Sequence, residues 1–152
     1  MSKITLHLAD LPQWVGKEVA VSDWLVITQA RIDRFAEAAG DHQWIHVDTE
    51  RAATESPYGG TIAHGFLTLS VLSQLLGETI EFDGRRMGIN YGVNRLRFTG
   101  PVPAGSRVRA RFQLGAVEPI EGGVQTAWHV TVEREGESKP ALITEWLIRH
   151  YA

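Results

Sequence analysis

The chain has 152 residues, enough for one domain with a real core, and its 43% hydrophobic and 22% charged composition is that of an ordinary globular protein. A formal net charge of −3 gives no electrostatic case for nucleic acid or an anionic membrane, and the absence of cysteine excludes disulfides, thiol catalysis and cysteine metal sites. The start, Met1 to His7, lacks the apolar run of a signal peptide, and the most apolar stretch, Phe66 to Leu76, is too short to span a bilayer. The expectation is a soluble cytoplasmic protein with a single domain over residues 1–152.

The chain changes character once, near residue 80: the first half reads mostly as helix and the second as strands. Residues 18–27 read as an early strand. Thr28 can cap a following helix, in which Ile32, Phe35, Ala36 and Ala39 fall at helical spacing and Gly40 is placed to end the helix in a left-handed conformation. Residues 41–60 read as irregular, with a short helical turn around 50–54 that Asp48 or Thr49 can cap. A second helix starts near residues 62–64 and ends by Gly77. Phe66, Leu67, Leu69, Val71, Leu72, Leu75 and Leu76 leave it almost no polar face, so it needs burial on most sides.

The second half alternates. Val108, Ala110, Phe112 and Leu114 oppose Arg107, Arg109, Arg111 and Gln113. Val124, Thr126, Trp128, Val130 and Val132 repeat the pattern after Gly122-Gly123, and Leu142, Thr144, Trp146 and Ile148 repeat it after Glu135-Gly136. Short turns between such runs predict an antiparallel meander. Residues 88–99 also read as a strand, but the apolar side switches near Asn94-Arg95, as at a bulge or where burial changes surface. Pro101, Pro103 and Gly105 mark the next connection. The sum is α+β, with a curved antiparallel sheet and one mostly buried helix. Either the sheet wraps the helix or the helix lies on one side of a sandwich.

Two segments carry candidate chemistry. Gly40-Asp41-His42-Gln43-Trp44-Ile45-His46-Val47-Asp48 follows a helix end, and Tyr58-Gly59-Gly60-Thr61-Ile62-Ala63-His64-Gly65-Phe66 runs into the apolar helix. Taken singly, each residue has a plain structural reading. Asp41 is a turn former, His46 a satisfied core histidine, Asp48 a helix cap, His64 and Gly65 helix-start residues, and Ser73 a small filler. Taken together, they suggest acid/base work. A carboxylate and an imidazole converging on one water could deprotonate it and return a proton to a substrate. A backbone N–H at a helix start, exposed by a glycine, could hold the charge that develops on a carbonyl oxygen.

The pattern Gly40-Asp41-x-x-x-Ile45-His46-x-Asp48, followed by His64-Gly65-Phe66, resembles the hydratase signature of the MaoC-like dehydratases, which include the (R)-specific enoyl-CoA hydratases. The run Gly40 to Asp48, the run Tyr91 to Phe98 and Pro101-Val102-Pro103-Ala104-Gly105 resemble the nodulation-protein-N-like branch. The resemblance runs from about residue 18 to the C-terminus. It implies a hot-dog fold, an antiparallel sheet wrapped around a long central helix and paired into a homodimer. The implied reaction is reversible syn addition of water to a trans-2-enoyl-CoA, giving an (R)-3-hydroxyacyl-CoA. By the same resemblance Asp41 and His46 are the catalytic pair, the Gly65 amide polarises the thioester carbonyl, and Ser73 matches a helix serine that supports the pair. His64 is expected beside the substrate. Coenzyme A would enter only as part of the substrate, a carrier protein could replace it, and no metal or redox cofactor would be needed. Where many of these hydratases carry Asn-Pro, this chain has Gln43-Trp44, and the indole of Trp44 could narrow the acyl tunnel. Arg95 and Arg97 are candidates for the phosphates of coenzyme A.

Three rival readings stand. His42, His46, Asp48 and His64 could supply a two-histidine, one-carboxylate metal site. A thioesterase would share the fold and the thioester site but aim water at the carbonyl carbon. A non-catalytic acyl-binding or partner-binding module could use the same scaffold.

Overall fold

A computed structural model describes residues 2–152. Its frame is a sheet of strands β2 (Glu18–Val21), β6 (Arg107–Ile120), β7 (Gly123–Arg134), β8 (Leu142–Tyr151) and β5 (Met87–Arg97), in that spatial order, with β3 (Leu25–Val26) also on β6. All these pairings are antiparallel. The expected alternation is present. Val108, Ala110, Phe112, Leu114, Trp128, Val130, Val132 and Leu142 are all at most 2% exposed, on the inner face.

The apolar helix lies across that inner face as α4 (Gly65–Ser70) and α5 (Leu72–Thr79), interrupted at Val71. Leu67, Leu72, Leu75 and Leu76 pack into one core with Phe112, Trp128 and Trp146. The helix therefore runs two residues past the expected end, and it is not covered all round. Phe66, Ser70, Ser73 and Gly77 form an exposed stripe, with Phe66 64% exposed. Beside this stripe the outermost strand, β5, exposes Met87, Ile89, Tyr91 and Val93. Sequence polarity records only that the helix is apolar, not which side its own chain leaves open.

The first half departs from expectation in several places. The early strand is broken into β2 and β3, because the Ser22 hydroxyl accepts the Ala110 N–H at 2.9 Å in place of a backbone carbonyl. Strand β1 (Ile4–His7) pairs in parallel with β4 (Ile80–Asp83), a contact across more than seventy residues that no local pattern announces. A 3-10 helix over Leu8–Trp14 buries Leu11 completely.

Helix α1 (Gln29–Ala39) is bracketed as the sequence predicts. Thr28 Oγ1 accepts the Arg31 N–H at 3.1 Å, and Gly40 ends the helix with φ +74°. The helical turn expected around 50–54 is α3 (Thr49–Glu55), capped by Asp48, whose carboxylate accepts the Arg51 N–H at 3.0 Å; the segment before it, read as irregular, also holds a short helix, α2 (Trp44–Val47). In β5 the register shifts between Asn90 and Gly92 and between Asn94 and Arg97, and Arg95 sits at φ +52°. The switch of apolar side is thus a bulge. Among the described residues no helix is long and apolar enough to cross a membrane.

Candidate active site

Two segments sixteen residues or more apart are clasped together by one residue. The Ile62 N–H donates to the Ile45 carbonyl at 3.1 Å, and the Ile62 carbonyl accepts from His46 Nδ1 at 2.7 Å. A carbonyl only accepts, so Nδ1 carries the proton and Nε2 of His46 holds a free lone pair. Helix α2 turns His46 inward, where it is 8% exposed. Asp41 follows the helix-ending Gly40. Its N–H bonds to the Ala36 carbonyl at 3.1 Å, and its carboxylate accepts the Gln43 N–H at 3.3 Å.

His64 completes the cluster. Its Nε2 donates to the Asp41 carbonyl at 3.0 Å, and its ring stacks on His46 with centroids 3.8 Å apart and planes 25° apart. One side-chain ligand atom from each of Asp41, His46 and His64 lies within 4.8 Å of the others. Asp41 is exposed while both histidines are buried, so the carboxylate lies on the solvent side of the two imidazoles. This is the one His/Asp/Glu group among the described residues close enough to share an ion. The Ile62 carbonyl takes Nδ1 of His46 and the Asp41 carbonyl takes Nε2 of His64, which leaves Nε2 of His46, the enclosed Nδ1 of His64 and the Asp41 carboxylate. The four-residue metal set read from sequence is not assembled. His42 faces Glu37 at 3.8 Å on the surface, and Asp48 caps α3.

Gly65 provides the first amide of α4, which has no acceptor within the helix. It lines a cavity of about 350 Å³ with Tyr58, Ile62, Thr68, Phe98 and Val102. A Cβ at Gly65 would stand 2.8 Å from the Phe98 ring, so glycine is required for that close packing. Two more clefts follow along the exposed stripe of the helix. One of about 250 Å³ is lined by Leu69, Ser70, Ser73, Tyr91 and Val93. The next, of about 220 Å³, is lined by Ser73, Leu76, Gly77, Asn90 and Trp146. The facing wall descends in step, from Phe98 through Val93 to Asn90 and Gly88.

The remaining candidates are not in the three-residue cluster. Ser73 lines the second and third clefts. Trp44 is half-buried at the start of α2 with the Arg51 guanidinium 4.2 Å over its ring, and lines none of these clefts. Arg95 pairs with Glu145 at 2.8 Å on the outer sheet face. Arg97 donates to the Leu96 carbonyl at 2.7 Å, one residue before Phe98. Sequence reasoning misses Gln29. Its Nε2 donates to the His46 carbonyl at 2.8 Å and its Oε1 accepts from Thr61 at 2.5 Å, tying α1 to both segments. The only signal for Gln29 was its place in the first turn after the Thr28 cap.

The family model for the MaoC-like domain matches residues 10–135. The chain belongs to the MaoC-like dehydratase family. The MaoC-like chain is 50% identical over 146 residues to 3-hydroxyacyl-thioester dehydratase Z of Mycobacterium tuberculosis, covering 95% of this chain and 96% of that protein. It is 50% identical over 145 residues to nodulation protein N of Rhizobium leguminosarum bv. viciae, covering 93% and 89%. Among solved structures, the (R)-hydratase from A. caviae involved in PHA biosynthesis superposes with a TM-score of 0.72 at 26% identity, over 88% of this chain and 94% of that one. The fold is the hot dog, and this MaoC-like chain is an enzyme, a hydro-lyase of the dehydratase class.

Proposed function

We propose that the protein is an (R)-specific enoyl-CoA hydratase, adding water reversibly to a trans-2-enoyl thioester to give the (R)-3-hydroxyacyl thioester. The observation that carries this reading is the approach of the Asp41 carboxylate and the His46 imidazole within 4.8 Å, with Gly65, which supplies the first amide of α4, in the cavity that Ile62 also lines. The names of the dehydratase Z relative and of the A. caviae hydratase support it.

In the hydration direction the Nε2 lone pair of His46 takes one proton from water while the Asp41 carboxylate accepts a hydrogen bond from the O–H that remains and orients the oxygen. The oxygen bonds to C3, the C2=C3 π pair moves toward the carbonyl, and the Gly65 N–H holds the charge gathering on the thioester oxygen. A proton returns from the pair to C2, and loss of the enolate charge restores the thioester. Water adds across the double bond with no other change, and because one pair serves both steps from one side, the addition is syn. Dehydration is the same path reversed.

The acyl chain would lie in the clefts that follow Gly65 along the helix. From Gly65 to Gly77 that path is roughly 18 Å at the helical rise per residue. Ser73 therefore acts on the acyl chain rather than as a support for Asp41 and His46 of its own chain. Arg97, next to Phe98 at the cavity mouth, is the arginine assigned to the coenzyme A phosphates, whereas Arg95 is engaged by Glu145. No resident cofactor takes part in this scheme. A homodimer would cover the exposed helix stripe and the free edge of β5, which otherwise leaves apolar side chains and unpaired backbone to water. The protein is assigned to the cytoplasm on the same reading.

The test is a panel of trans-2-enoyl-CoA thioesters of increasing length, with loss of the conjugated absorbance followed alongside release of free thiol. The reading expects absorbance loss without thiol release, and a product resistant to an (S)-specific 3-hydroxyacyl dehydrogenase. Thiol release in step with turnover would make the protein a thioesterase. Binding without turnover would make it an acyl-binding module.

A further inference from the structure

We infer that His64 is a positioning residue that holds both members of the catalytic pair, rather than a contact for the substrate. The inference rests on the assignment of Asp41 and His46 above and extends it. At 3% exposure His64 is buried deeper than either of them, beneath the exposed Asp41 and beside His46 at 8%.

Each part of His64 fixes a different catalytic group. Its Nε2–H holds the Asp41 carbonyl at 3.0 Å. The Asp41 N–H is already bonded to Ala36, so the peptide groups on both sides of the Asp41 Cα are fixed and with them its Cα–Cβ direction, while the Gln43 N–H holds the carboxylate itself at 3.3 Å. Its ring covers one face of His46 at 3.8 Å, while Ile62 holds the His46 edge through Nδ1. An imidazole held by one edge and one face does not rotate freely, so the free Nε2 stays aimed. Phe35 packs on His64 in turn, with centroids 4.9 Å apart. The backbone of His64 leads directly into Gly65, so a shift of its Cα shifts the amide that receives the carbonyl charge.

The two histidines are held in opposite tautomers. The Ile62 carbonyl requires Nδ1–H on His46, and the Asp41 carbonyl requires Nε2–H on His64. That leaves Nδ1 of His64 enclosed without a partner.

The inference is tested on the full-length protein with two substitutions. His64→Phe keeps a ring against His46 but removes the donor. His64→Gln carries an amide N–H at the same number of bonds from Cα as Nε2, so it keeps the donor and loses the ring. With the enoyl-CoA that wild type hydrates fastest, His64→Phe is expected to lower kcat about 10²-fold, the scale of a displaced catalytic group, with KM little changed. His64→Gln is expected to recover a large part of that loss. A rise in KM at constant kcat in both variants would make His64 a substrate contact and overturn the inference, as would wild-type kcat in His64→Phe. Nitrogen-15 spectra of the histidine rings provide a readout that does not depend on turnover. Wild type is expected to show His64 as the Nε2–H form and His46 as the Nδ1–H form, with the His46 signals displaced in His64→Phe. His64 as the Nδ1–H form would overturn the inference. A wild-type protein that hydrates no enoyl thioester would overturn the hydratase assignment, and the spectra would then decide the positioning claim alone.

Discussion

Lowering the pH from 7.5 to 5.0 should remove about 2 kcal/mol of stability through one buried histidine far from the catalytic pair. His150 is fully buried, and burial, with a smaller contribution from Arg85, pushes its pKa down to about 4. Its Nε2 meets Thr126 Oγ1 at 2.9 Å, which also accepts the Trp128 indole N–H at 2.9 Å, and Phe82 packs on the ring. The unfolded chain takes up the proton near pH 6.5, the ordinary histidine value, while the folded chain resists until about 4. Stability is therefore full above pH 6.5, falls as the pH drops through that window, and levels off below it. A depression of this size gives about 2 kcal/mol at pH 5.0. Glu133, held below the usual carboxylate range by Arg111, and Glu145, held below it by Asn94 and Arg95, lose their contributions only at lower pH. The assay is urea unfolding at both pH values and one protein concentration, for wild type and His150→Gln. The glutamine keeps a donor toward Thr126 but does not titrate. The variant should lose most of the pH dependence. Equal losses in both proteins, or no loss in wild type, would refute the reasoning.

Gly65→Ala should fold but lower kcat about tenfold or more, because the new Cβ meets the Phe98 ring at 2.8 Å and either the ring or the first amide of the helix must move. Steady-state kinetics of the purified variant would check it, and unchanged kcat would remove the Gly65 amide from the scheme. Thr28→Ala should cost about 1 kcal/mol in urea unfolding through loss of the cap on α1. Trp44→Ala should leave the acyl-length profile unchanged, since the indole packs under Arg51 and lines none of the three clefts. A shifted profile would restore the gating role that the sequence suggested.

What the sequence made legible was local or periodic. Thr28 and Gly40 bracket α1 through their own side chain and backbone, and the alternation from Val108 to Ile148 sets the inner face of the sheet. Asp41, His46, His64 and Gly65 were all readable as candidates, because two dense motifs flank a helix end and a helix start. Their division of labour was not. The burial of His64 and its bond to the Asp41 carbonyl depend on how residues 61–64 dock against α2, which spacing alone does not determine. Gln29 was invisible for the same reason, since its partners lie at residues 46 and 61. The parallel pairing of β1 with β4 and the break at Ser22 are long-range choices, and the exposed stripe from Phe66 to Gly77 reflects a surface that the single chain does not cover.

The most direct test of the central claim is a double-mutant cycle on the catalytic pair, measured as kcat for hydration of the best enoyl-CoA. If Asp41 and His46 act on one water, Asp41→Asn and His46→Gln should each lose about 10²- to 10⁴-fold while remaining folded. The double variant should then be little worse than the poorer single one, as for residues that work as a unit. Near wild-type turnover in either single variant, or a double loss equal to the product of the two, would contradict the account.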